Sequence, residues 1–87
     1  MRNKTGTTSE LHPEDVRIGA TIREMRQMRG LTQDQLSQEA MMSRAYVANI
    51  EAGRKRPSMK VVARIADALR VPQISIVAAV EPAEAAA

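Results

Sequence analysis

Two helix starts written close together, with a glycine stop behind them, constrain this chain more than any other feature. Thr32-Gln33-Asp34-Gln35 has the form of a capping box. The Thr32 hydroxyl can accept from a first-turn amide, and Gln35 can reach back to the Thr32 amide. Leu31 and Leu36 flank it as a hydrophobic staple. Ser43 repeats the device with Met42 and Val47, and Gly53 ends the second helix because glycine enters the left-handed region without steric penalty. Leu36 and Ala40 lie four apart on one helix, Val47 and Ile50 three apart on the other. Those spacings put an apolar seam on the facing sides. Ser37 is small, as a close crossing of two helices requires.

The corner leads directly into Arg54-Lys55-Arg56. Net charge is only +3, but between Arg44 and Lys60 the basic residues Arg44, Arg54, Lys55, Arg56 and Lys60 face the single acid Glu51. From Val71 onward Glu81 and Glu84 are the only charges. Positive charge gathered at one corner is the footprint of a surface for polyanions. The groove of duplex DNA, which admits a helix, suits a corner of this size.

The rest of the composition excludes more than it proposes. Eighty-seven residues allow one small domain. With no cysteine, neither a disulfide framework nor a thiolate zinc site can supplement its core. Tyr46 is the one aromatic, so the core is expected to be aliphatic. His12 has no partner cluster for nucleophilic or metal chemistry, and Glu14-Asp15 reads as a helix start. No enzyme, cofactor or metal is expected. No apolar run approaches a membrane span, and no signal-peptide core is present. A cytoplasmic protein is therefore expected.

An all-α domain follows from the periodicity. Residues 1–12 are polar and read as a flexible arm whose Arg2 and Lys4 can reach phosphates. Pro13-Glu14-Asp15 opens a first helix, since proline fits the first turn and acids favour the positive end of the macrodipole. Ile18, Ile22 and Met25 form its apolar face and Gly30 ends it. Ser58 caps a fourth helix striped with Val61, Val62, Ile65, Ala66 and Leu69. Val71-Pro72 breaks it, and a fifth helix is expected from Gln73 to Val80. The domain thus spans 13–80, with a frayed tail at 81–87. The last helix is apolar on two sides, Ile74, Val77 and Ala78 on one and Ile76, Ala79 and Val80 on the other. A short terminal helix cannot cover both with its own chain. The side carrying Ile76, Ala79 and Val80 is expected to meet a second copy.

These residues in register resemble the Cro/CI-type, XRE-like helix-turn-helix family of lambda-repressor-like DNA-binding proteins. The positions that carry the resemblance are Ile18-Gly19, Ile22-Arg23, Arg26, Gly30-Leu31-Thr32-Gln33, Leu36, Ala40, Ser43, Ile50-Glu51, Gly53, Pro57-Ser58 and Ile65 to Leu69. The resemblance implies a compact five-helix bundle whose helices two and three form the helix-turn-helix, with the third docked in the major groove of double-stranded DNA. It implies that Ser43, Arg44, Ala45 and Asn49 reach base edges, that Gln33 holds a phosphate, and that Tyr46 lies near phosphates or a thymine methyl. By the same resemblance Arg26 and Glu51 form an ion pair joining the first helix to the end of the third. The chain departs from the pattern at Met41, where the family has glycine. That departure implies either a rearranged turn or strain offset by burying the methionine.

From residue chemistry, Arg44 is the leading candidate for reading a guanine, because a guanidinium matches its O6 and N7 bidentately. Thr32, Arg54, Lys55 and Arg56 are expected to hold the backbone and add affinity without sequence information. The function expected is a homodimeric repressor reading an inverted-repeat operator, encoded by a bacterium, phage or plasmid. The rival expectation is a protein-interaction module of the same fold, an antitoxin-like or polymerase-binding adaptor.

Overall fold

The computed structural model describes residues 11–78, so the expectations for residues 1–10 of the arm and for the tail lie outside the described residues. Within it the chain forms α1 (Pro13–Met28), α2 (Gln33–Glu39), α3 (Arg44–Glu51), α4 (Met59–Leu69) and α5 (Gln73–Val77), with no strand among the described residues. Each of the first four starts where a side chain can satisfy a free amide. His12, expected in the arm, caps α1 by accepting from the Glu14 amide at 3.3 Å. Thr32 accepts from Gln35 N at 3.0 Å while Gln35 Oε1 accepts from Thr32 N at 2.8 Å, which closes the capping box. Ser43 and Ser58 cap α3 and α4 by accepting from Tyr46 N and Val61 N.

The same four helices share one way of stopping. Each ends in a pair of nested backbone bonds across its last turn: Leu31 N to Arg26 O, Met42 N to Ser37 O, Arg54 N to Asn49 O and Val71 N to Ala66 O, each enclosing a bond from the preceding amide to the following carbonyl. That is the Schellman arrangement, and it needs a left-handed residue just past the helix. Gly30 and Gly53 supply it freely, but Met41 (φ 59°) and Arg70 (φ 61°) occupy it as side-chain-bearing residues. Met41 is 75% exposed. Its turn is therefore neither rearranged nor relieved by burial, and the helix-end hydrogen bonds hold the strained residue.

Ile18 and Ile22 of α1, Leu36 of α2, Val47 and Ile50 of α3, Val62, Ile65 and Leu69 of α4 and Ile76 of α5 form one buried aliphatic cluster. The α1–α3 crossing is close. A Cβ on Gly19 would run into the Ile50 carbonyl oxygen and stand 2.7 Å from that of Glu51. Only glycine lets α1 lie this close to the end of α3.

The expected dimer face needs correction. Ile76 is fully buried in its own domain, whereas Ile74 is 62% exposed. Two residues on a helix differ by about 200°, so when α5 packs on α1 and α4 only one of the pair can face outward. Ala79 and Val80, expected on the same face as Ile76, lie outside the described residues. The helix ends at Val77, with Ala78 already extended. Arg17 of α1 donates to the Val77 and Ala78 carbonyls at 3.1 Å each, a side-chain cap for the end of the helix.

Two substitutions test these backbone arguments. Met41→Gly removes about 1–2 kcal/mol of left-handed strain against about 0.5–1 kcal/mol of added chain entropy. Its thermal midpoint should rise by a few degrees, and a fall would mean the methionine contributes packing. Gly19→Ala should cost about 1–3 kcal/mol by overpacking. A wild-type denaturation curve for that variant would show that α1 and α3 do not cross so closely.

Candidate nucleic-acid interface

The third helix is eight residues long, about 12 Å at 1.5 Å per residue. Val47, Ile50 and Glu51 turn inward. Arg44 and Ala45 are exposed, Ala48 and Asn49 half-buried, and Ala52, just past the helix, is exposed. The outward face is thus made of alanines with Arg44 at one end and Asn49 near the other. Short side chains leave the helix backbone close to whatever it meets, and Arg44 alone reaches far from it.

The remaining expected site residues are held in different ways. Ser43 uses its oxygen as a cap and keeps its hydroxyl proton for a further acceptor. Thr32 is in the same position, with its amide already held inside the capping box. Tyr46 is half-buried against the core cluster, which fixes its ring beside the first turn of α3. Arg54 and Lys55 are exposed, and their amides both donate to the Asn49 carbonyl, at 2.9 and 3.3 Å. The loop after Gly53 is thereby folded against the end of α3, so its cations travel with the helix. Arg54 also donates to Asn49 Oδ1 at 3.4 Å.

Arg56 departs from the expectation. Its guanidinium meets Asp15 at 2.6 Å and Glu14 at 3.2 Å. The hydrogen bond and charge of Asp15 raise its pKa further above the usual arginine value. Two carboxylates already occupy it, so it ties the loop to the start of α1 and is not a free backbone cation like Lys55. The acids Glu14-Asp15 read in sequence only as a helix start; their second partner is far away in the chain.

Beneath the exposed face lies the expected ion pair. Arg26 Nε is 2.7 Å from Glu51 Oε2 and its Nη2 3.1 Å from Oε1, a bidentate fork with both side chains nearly excluded from solvent. Arg26 Nη1 also donates to the Leu31 carbonyl at 2.7 Å, and Gln33 Nε2 donates to Glu51 Oε1 at 3.1 Å. One buried pair thus fastens α1, the start of α2 and the end of α3 together. The Gln33–Glu51 bond has no local signal in the sequence, because the two residues meet only when the corner closes.

An aliphatic five-helix bundle with a capped corner, its second member bare on the outside and backed by cations, defines a helix-turn-helix domain. A family model described as helix-turn-helix (HTH_3) matches residues 22–72, more than half of the chain, and the chain belongs to that family. It is 40% identical over 60 residues to the immunity repressor protein of Bacillus phage phi105, covering 69% of this chain and 42% of that one. It is 37% identical over 55 residues to the transcriptional regulator ClgR of Mycobacterium tuberculosis, covering 63% and 49%. The chain spans about half the length of the curated relatives it matches. Among solved structures, it is similar to the restriction-modification controller protein C.AhdI from Aeromonas hydrophila, with a TM-score of 0.74, 28% identity and coverage of 75% and 98%. The clp gene regulator ClgR from Corynebacterium glutamicum gives 0.72, 26% identity and coverage of 76% and 70%. These relatives are named as repressors, regulators and controllers, and none as an enzyme.

Because the pair is buried, removing one half should cost more than removing both. Glu51→Gln strands a desolvated guanidinium and should lose about 3–5 kcal/mol, whereas Arg26→Met with Glu51→Met should lose far less. Denaturant titration of the three proteins checks this; equal losses would mean the pair is solvated.

Proposed function

We propose that this protein is a sequence-specific double-stranded DNA-binding transcriptional regulator, a homodimeric repressor that reads an inverted repeat with α3 in the major groove. The observation that carries the reading is the outward face of α3. It is a rod about 10–12 Å across with its side chains, offered to a groove about 12 Å wide. It is lined by small residues, with an arginine free of carboxylate partners among the described residues at its leading end.

Arg44 pairs with guanine O6 and N7, Ser43 donates its remaining proton, Ala45 makes apolar contact, and Asn49 meets an adenine once Arg54 turns to the backbone. Arg54, Lys55, Thr32 and Gln33 hold phosphates, with Tyr46 at the edge of the contact. The second copy docks on the outward side of α5, where Ile74 lies exposed. Two-fold symmetry then requires half-sites about 10 bp apart. The phage repressor and the ClgR proteins support the regulatory class, as does the likeness in fold to the controller protein C.AhdI.

Selection from random duplexes returns the preferred site and its symmetry in one experiment. Arg44→Ala should then cost about 1–3 kcal/mol and relax the preference at one base pair. Lys55→Ala should weaken all sequences alike and lower the salt slope by about one. An unaltered profile for Arg44→Ala, or no enrichment at all, would overturn the assignment.

A further inference from the structure

A cleft of about 200 Å³ opens beside α3, lined by Arg23 and Arg26 of α1, Gln33 of α2, and Ala48, Glu51 and Ala52. Its charges do not cancel. Arg26 and Glu51 neutralise each other through their two-point contact, which leaves Arg23 as an uncompensated cation. Arg23 is exposed and makes no ion pair among the described residues. Gln33 commits one N–H to Glu51 Oε1. A carboxamide nitrogen carries two, so the second remains, on a group whose orientation the buried carboxylate has set.

The location matters as much as the charge. Ala48 and Ala52 follow Arg44 at intervals of four, so they continue one stripe of the helix along its length. The cleft therefore borders the face offered to the bases, on the flank toward α1. A helix filling the major groove has a sugar–phosphate ridge on each flank. Small residues at 48 and 52 keep the cleft open to such a ridge.

We propose that this cleft seats one backbone phosphate of the bound duplex, with Arg23 as its ionic partner and Gln33 as its neutral donor. Glu51 is a positioning residue that aims the Gln33 amide. The proposal rests on the DNA-binding reading above and adds Arg23 to the contact surface, a residue outside the expected set. It also assigns a task to the small side chains at 48 and 52.

The test uses the full chain, the duplex returned by selection and a random-sequence duplex of equal length, each titrated between 50 and 200 mM salt. Neutralising one phosphate contributes about 0.9 to the slope of log affinity against log salt. Arg23→Ala should lower the slope by about that amount on both duplexes, with an unchanged sequence profile and melting temperature. Ala52→Leu, which fills the cleft, should weaken both duplexes similarly. Because Arg23 and Gln33 share one phosphate, Gln33→Ala should cost less affinity in the Arg23→Ala background than in the wild type. An unchanged slope for Arg23→Ala, or additive losses in the double variant, would overturn the seat while leaving the DNA reading intact. A wild-type chain that bound neither duplex would remove the DNA reading and the seat together.

Discussion

The guanidinium of Arg26 makes three connections at once, to both oxygens of Glu51 and to the carbonyl that precedes the α2 cap. A buried ion pair contributes little net stability, because desolvation offsets most of the attraction. Its consequence here is geometric. Two flat groups joined by two hydrogen bonds tolerate little change of angle, so the end of α3 is fixed relative to α1 and the start of α2. Aliphatic packing around Ile22, Leu36 and Ile50 supplies cohesion but less orientation. The exposed face of α3 inherits its direction from the fork beneath it.

Around that fork the backbone is constrained at both ends of most helices. Hydroxyl, carboxamide and imidazole acceptors satisfy the starting amides, and left-handed residues let the last carbonyls find partners. The arrangement also carries the cations. The loop that ends α3 folds onto the Asn49 carbonyl, and Arg56 is held against the acids of α1. The positive surface is thereby attached to rigid elements, which lowers the ordering cost of binding a polyanion.

Much of this was legible beforehand, and for local reasons. The caps at Thr32, Ser43 and Ser58 and the stops at Gly30 and Gly53 depend on residues a few positions apart, so their spacing alone reveals them. The misses were non-local or ambiguous in period. Ile74 and Ile76 both look apolar, and only the docking of α5 chooses which is buried. Arg70 gives no sign of a left-handed residue, since arginine has no preference for that region. Arg56 and Lys55 look equivalent in sequence, yet one is bound to α1 and the other makes no ion pair among the described residues. Nothing local marks Arg23 as a neighbour of Gln33 and Glu51, because the cleft that the three line forms only when α1, α2 and α3 pack together.

What the residues alone determined, then, is the inventory of helices, the corner and the sign of the charge behind it, because each is set by hydrogen bonds and apolar spacings within a few residues. The tertiary structure decided which cations are paired with α1, which isoleucine faces out and how the Gln33 amide is aimed. Those outcomes depend on where α1 lies against α3, and that depends on a missing Cβ at Gly19 and a buried fork at Arg26 and Glu51, neither of which acts until distant parts of the chain have met.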